Sequence, residues 1–367
     1  MRSANIRLVI GTRPEAIKLK PVARALLAHG LMPTLVFTGQ HPALDPAEFG
    51  LEAFRCCELR CPGQEDPHAH VRSVTSALLP ILCDLPDLIV VQGDTSSALG
   101  GALAGFTAGV PVAHVEAGLR THDPLLPWPE EEYRTAIDAG AELLFAPTEI
   151  AAGNLRSEQV RGEIHITGNT GIDAALEKAR SLPPPALRDR GVPRLLVTCH
   201  RRESWGEGLE SIAAAVRDLA SEARIDVILH PNERVASSMR RLLGGIRGIR
   251  LLEPCGHAKL LRRMRDADLV MSDSGGIQEE APALGIPLLV LRHKTERPEG
   301  ISAGTALLVG TDRDRIVTEA RRLIADPSAR AAMARRHFPF GDGSAGRRMA
   351  AIISQWLEER SLTRGLA

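Results

Sequence analysis

A chain of 367 residues is too long for one ordinary core and suits two domains of roughly 170–180 residues each. Its 45 basic and 45 acidic residues cancel, which argues against a nucleic-acid surface or a polybasic membrane surface. No apolar run approaches the ~18 residues of a membrane span, and the start reads into a strand rather than a signal peptide, so a cytoplasmic protein is expected. The six cysteines, including the Cys56, Cys57, Cys61 cluster, match no zinc spacing and read as reduced thiols.

Short apolar runs at 7–10, 34–37, 87–91, 111–115 and 142–146 read as buried parallel strands, with helices predicted over 15–29 and 95–108. Pro14 suits the first position of a helix. Residues 181–185, Ser-Leu-Pro-Pro-Pro, read as a linker. The rhythm then restarts, with strands predicted at 194–198, 226–229, 249–252, 268–271 and 287–291, and helices at 208–220, 257–266 and 276–284. These patterns predict an α/β protein of two doubly wound parallel sheets. Residues 1–171 form the first Rossmann-like domain and 172–367 the second, with a C-terminal helix over 344–362 packing back across. Ligands are expected at the carboxyl ends of strands and in a cleft between the halves.

Ser272-Asp273-Ser274-Gly275-Gly276 lies between a strand and a helix. That arrangement suits an anion, because free N–H groups and the helix dipole face it and glycine allows close approach. Glu280, one turn on, suits ribose hydroxyls. A capped helix with surface acids is the plainer reading of the same residues. In the first half, Gly11-Thr12-Arg13-Pro14-Glu15-Ala16-Ile17-Lys18 puts two cations, Arg13 and Lys18, at a strand end; solvated surface charges fit as well. Three acids converge on strand ends or the adjoining loop: Asp94 in Gln92-Gly93-Asp94-Thr95, Glu116 in His114-Val115-Glu116-Ala117-Gly118-Leu119-Arg120, and Glu130 after Pro127-Trp128-Pro129. Such a cluster suits acid and base roles with pKa values pushed apart by neighbours. A metal site is the rival, but no histidine spacing supports it. His200, beside Arg201 and Arg202 after the first strand of the second half, suits a pyrophosphate. Gly341-Asp342-Gly343-Ser344-Ala345-Gly346 fits G-x-G-x-x-G literally, yet no suitable strand precedes it and no acid follows at roughly 20 residues, so no dinucleotide site is expected.

These motifs, with Thr38-Gly39-Gln40-His41, Gly168-Asn169-Thr170 and Thr295-Glu296-Arg297-Pro298-Glu299, resemble the UDP-N-acetylglucosamine 2-epimerases, particularly the bacterial non-hydrolysing type, from Gly11 to about Arg347. The resemblance implies a glycosyltransferase-B type fold, usually a homodimer, and no cofactor or metal. The reaction it implies is anti elimination of UDP to 2-acetamidoglucal and re-addition with C2 inverted, giving UDP-N-acetylmannosamine. By position, Asp94, Glu116 and Glu130 match the acid/base carboxylates, and His200 matches a histidine near the UDP phosphates. Arg13, Lys18, Ser274, Gly275, Gly276, Glu280 and Arg297 match UDP-binding positions, and Arg134 matches an arginine after the Glu130 motif. Tyr133 stands where Asn is usual, Ala139 where His is common and Leu260 where some members carry an aromatic. Ala43 replaces a Gln that many members use to bind a second substrate molecule as activator, so weak or absent activation by UDP-N-acetylglucosamine is expected. A hydrolysing 2-epimerase releasing N-acetylmannosamine and UDP, and a UDP-sugar transferase of the same fold, are the alternatives.

Overall fold

A computed structural model describes residues 4–42, 44–184, 191–199 and 205–364. The first seven strands are β1 (Ile6–Ile10), β2 (Thr34–Phe37), β3 (Arg55–Glu58), β4 (Leu88–Gln92), β5 (Val112–Val115), β6 (Leu143–Ala146) and β7 (Glu163–Ile166). They form one parallel sheet in the order β3-β2-β1-β4-β5-β6-β7. A second parallel sheet holds β8 (Arg194–Thr198), β9 (Arg224–Ile228), β10 (Ile249–Leu252), β11 (Leu269–Ser272), β12 (Leu288–Val290) and β13 (Ala306–Leu308), in the order β10-β9-β8-β11-β12-β13. Each sheet reverses its strand order once, at β1/β4 and at β8/β11. That reversal opens a crevice at the carboxyl ends of the strands, where α/β sheets bind ligands.

The central strands are buried on both faces and therefore read as continuous apolar runs. In β1, Ile6, Leu8 and Ile10 enter one core, with helices Arg13–Ala28 and Ala345–Arg364, while Val9 enters the other. The edge strands β3 and β7 were not expected: Arg55-Cys56-Cys57-Glu58 and Glu163-Ile164-His165-Ile166 are polar and largely accessible, so no apolar run announces them. β13, only three residues long, was also not expected.

The chain divides into two compact units, 1–174 with 340–367, and 175–339. The expected boundary at 171/172 lies three residues earlier, and residues 340–364, numbered in that expectation with the second domain but with their helix packing back across, belong to the first unit. Met349, Ile353 and Trp356 of the last helix join the core of Leu19 and Leu26. Asp173 fixes its start, accepting from Ala345 N at 3.1 Å and Gly346 N at 2.9 Å. The literal G-x-G-x-x-G run therefore ends on a helix whose N-terminus already holds a carboxylate.

Helix Arg13–Ala28 begins with a capping box. Thr12 caps it, and Glu15 accepts from Thr12 N at 2.6 Å, which places Pro14 second in the helix rather than first. Among the described residues no helix is long and apolar enough to cross a membrane, and no group of three or more His, Cys, Asp or Glu is placed to hold a metal ion.

Candidate active site

Gly11 follows β1 because nothing larger fits. A Cβ there would lie 2.0 Å from Ser97 Oγ and 2.9 Å from Thr38 Oγ1. Thr38 and Ser97 share a 2.8 Å hydrogen bond, and Ser97 donates to Gln40 Oε1 at 2.7 Å. Glu15 joins the β1 end to the β4 end: its buried carboxylate accepts from Gly11 N at 2.9 Å and from Thr95 Oγ1 at 2.7 Å. Burial pushes its pKa up, against the pull of four hydrogen bonds.

Beside this frame lie the three expected carboxylates. Glu116, at the end of β5, is buried and has φ +74°. A non-glycine residue in that region costs on the order of 1–3 kcal/mol and is held only by its surroundings. Its Oε2 receives Lys18 Nζ at 2.5 Å and also the Gln92 amide. Asp94, beyond the end of β4, accepts from Arg134, whose other nitrogen lies 3.1 Å from Glu131 Oε2. Glu131 in turn accepts from Thr121 N at 2.9 Å and His122 N at 3.0 Å. Glu130, half-buried, opens helix Glu130–Gly140, which carries Arg134. Arg13 is turned elsewhere: its guanidinium lies 2.5 Å from Glu48 Oε2 and 5.3 Å over the Phe49 ring.

In the second unit the turn after β11 leads into helix Gly275–Leu284. No side chain caps its start at Ser274. A Cβ on Gly275 would lie 2.8 Å from the Arg297 guanidinium, so glycine is what admits Arg297 to the helix N-terminus. Arg297 is clamped by Glu279, at 2.5 Å, and by Glu296. Glu280 Oε1 lies 2.7 Å from His257 Nε2. Burial pulls the His257 pKa down, but Glu280 outweighs it and the net shift is upward. His200, Arg201, Arg202 and Ala43 lie outside the described residues.

The structure thus joins Lys18 to Glu116 and Asp94 to Arg134 in one unit, and sets Gly275 against Arg297 in the other. Sequence reasoning passed over Glu131, Asp138 and His257. A signal existed for the first two: Glu131, Arg134 and Asp138 recur at three- and four-residue spacing, so they share one helix face.

A family model for UDP-N-acetylglucosamine 2-epimerase matches residues 24–354. The chain belongs to that family. The Escherichia coli UDP-N-acetylglucosamine 2-epimerase is 42% identical over 365 residues, which cover 94% of this chain and 97% of that one. Among solved structures, the Neisseria meningitidis UDP-GlcNAc 2-epimerase bound to UDP-GlcNAc matches with a TM-score of 0.90 at 34% identity, covering 96% of this chain and 100% of that one. The Methanocaldococcus jannaschii UDP-GlcNAc 2-epimerase in complex with UDP-GlcNAc and UDP matches with a TM-score of 0.83 at 30% identity, covering 96% and 99%. As a member of the UDP-N-acetylglucosamine 2-epimerase family, the chain has the glycosyltransferase-B type fold, and its two parallel sheets are the sheets of two Rossmann-like domains.

Proposed function

We propose that this chain interconverts UDP-N-acetylglucosamine and UDP-N-acetylmannosamine without hydrolysis, by anti elimination of UDP to 2-acetamidoglucal and re-addition. The observation that carries this reading is the pairing of Asp94 and Glu116, at neighbouring strand ends, each with its own cation, beside the helix that Glu130 opens. Family membership, and the UDP-GlcNAc held by the Neisseria relative, support the substrate.

The proton on C2 is not next to a carbonyl, so its removal must be coupled to departure of UDP. One carboxylate takes the proton, the C–H electron pair becomes the C1=C2 bond, and the C1–O bond breaks with its pair left on the β-phosphate oxygen. In the return step a second group delivers a proton to the opposite face of C2 while the phosphate oxygen rejoins C1. Glu116 and Glu130 are assigned to these proton transfers, with Asp94 supporting them. The uncapped helix N–H groups of Gly275 and Gly276, with the Ser274 side chain, Arg297, Lys18, Arg13 and His200, are assigned to the pyrophosphate, where charge develops. Glu280 is assigned to the ribose. Arg297 already neighbours two carboxylates, so we assign more of the anion binding to the helix N–H groups than to its net charge. The family resemblance leads us to expect a cytoplasmic homodimer that needs no cofactor.

Chromatography of a reaction with UDP-N-acetylglucosamine tests the proposal. The expected result is a mixture of the two UDP-sugars with no free hexosamine. Free N-acetylmannosamine rising in step with UDP would replace it with the hydrolysing reaction, and turnover only on adding an acceptor would replace it with transfer.

A further inference from the structure

Beyond the last ladder bond between β4 and β5, Gly93 N to Val115 O at 3.0 Å, the two strands part into separate turns. One turn carries Asp94 and the other Glu116. Backbone pairing no longer holds them together, and Glu116 sits at a φ that its own residue type disfavours. Two fully buried side chains cross the gap. His114, from β5, reaches the Gly93 carbonyl with Nε2 at 2.9 Å and Asp138 Oδ1 with Nδ1 at 2.6 Å. The other Asp138 oxygen accepts from Gly118 N at 3.0 Å, in the Glu116 turn, and from Arg120 at 2.7 Å. Arg120 is anchored in turn by two 2.7 Å bonds to Glu158. Asp138 itself belongs to helix Glu130–Gly140, one turn beyond Arg134, the partner of Asp94.

We infer that Asp138 is the positioning residue for all three carboxylates, acting through His114 on the Asp94 turn, through Gly118 N on the Glu116 turn, and through its own helix on Glu130. This inference rests on the function proposed above. The chemistry fits the part. Burial opposes ionisation of Asp138, but His114 and Arg120 outweigh it and hold its pKa below the ordinary carboxylate value. An ionised carboxylate offers enough lone pairs to accept from His114, Gly118 and Arg120 together. The two His114 nitrogens are thus each tied to a partner, Nδ1 to Asp138 and Nε2 to the Gly93 carbonyl. A buried network of this kind fixes one arrangement only when every member is satisfied, and each of these is. A carboxylate displaced by about 1 Å from its reacting proton costs on the order of 100-fold in rate, which is the reason to build such a clamp.

Two variants separate positioning from mere folding. In Asp138→Asn the amide oxygen still serves Gly118 and Arg120, and its NH2 meets His114 Nδ1, so the contacts survive without the charge. In Asp138→Ala the links to His114, Gly118 and Arg120 are all lost. The expected order of kcat is wild type, then Asn within about tenfold, then Ala down by roughly 100-fold or more. KM and UDP affinity should each stay within about threefold, because the helix Gly275–Leu284 is untouched. Crystal structures should show the Gly93–Asp94 and Glu116–Gly118 turns displaced in the Ala variant and retained in the Asn variant. An Ala variant with kcat within threefold of wild type, or with its whole loss in KM, overturns the inference. If Ala does not fold, an Asn variant with both turns in place but no activity does so as well. If the wild-type chain does not act on UDP-N-acetylglucosamine, the proposed function fails by itself, and the two crystal structures still decide whether Asp138 sets the turns.

Discussion

Lys18 Nζ lies 2.5 Å from Glu116 Oε2, so the second cation of the N-terminal motif meets a carboxylate of the candidate site directly. A lysine read only as a phosphate arm would need no such partner. The ammonium offsets the cost of keeping a charged Glu116 at a site where its side chain is only 4% exposed. Lys18→Met should therefore lower kcat, by roughly 10- to 100-fold, and move the acid limb of the kcat/KM profile to higher pH, because an uncompensated buried carboxylate ionises later. Rates from pH 5 to 9 check this. A rise in KM alone, with an unmoved limb, would return Lys18 to a purely phosphate-binding part.

Arg134 spans two carboxylates, Asp94 and Glu131, with separate nitrogens of one rigid fork. An ammonium cannot reproduce that span. Arg134→Lys should lower kcat by about 10- to 100-fold. Stability should fall by about 1–3 kcal/mol, less than for a wholly buried pair because Asp94 is 30% exposed. Steady-state kinetics with urea unfolding measure both.

Gly11→Ala forces a contact of 2.0 Å with Ser97 Oγ and should cost about 2–3 kcal/mol. Ser97→Gly removes both the Oγ and the Cβ that lies 2.4 Å from the new methyl. The double variant should regain part of the loss, a coupling of about 1 kcal/mol or more in a double-mutant cycle. Strict additivity would show that the backbone, not Ser97, sets the constraint.

Glu280 holds the His257 pKa above its ordinary value against the opposing pull of burial. A raised folded-state pKa stabilises the fold fully below the unfolded value, about 6.5, and the gain is lost as pH rises through the folded value. The Tm of wild type minus that of His257→Gln should therefore fall as pH is raised from about 6 to about 9. A difference that stays flat across this range would contradict the assigned pairing.

Much of the fold was legible because the central strands are apolar on both faces, as in β4, Leu-Ile-Val-Val-Gln, where every residue is buried. The edge strands were not, since Arg55 to Glu58 pair with one neighbour and face solvent, which leaves no apolar run to read. At the candidate site, Asp94, Glu116 and Glu130 stand out in the sequence because acids at strand ends or in the adjoining loop have little structural reason to be there. Asp138 was not, because an aspartate in the last turn of a helix looks solvated until the fold closes His114 over it. Arg13 and Arg297 show the limit of reading cations singly. Both are expected at UDP, and each also has carboxylate partners that the sequence did not announce, Glu48 for Arg13 and Glu279 with Glu296 for Arg297.

Proton NMR of the wild-type enzyme with UDP-N-acetylglucosamine in D₂O decides whether C2 exchanges its proton with solvent while UDP is retained. The expected products are UDP-N-acetylmannosamine with deuterium at C2, remaining substrate with deuterium at the same position, and no free sugar. Inversion with the original C2 proton retained, or free N-acetylmannosamine appearing with UDP, would contradict it.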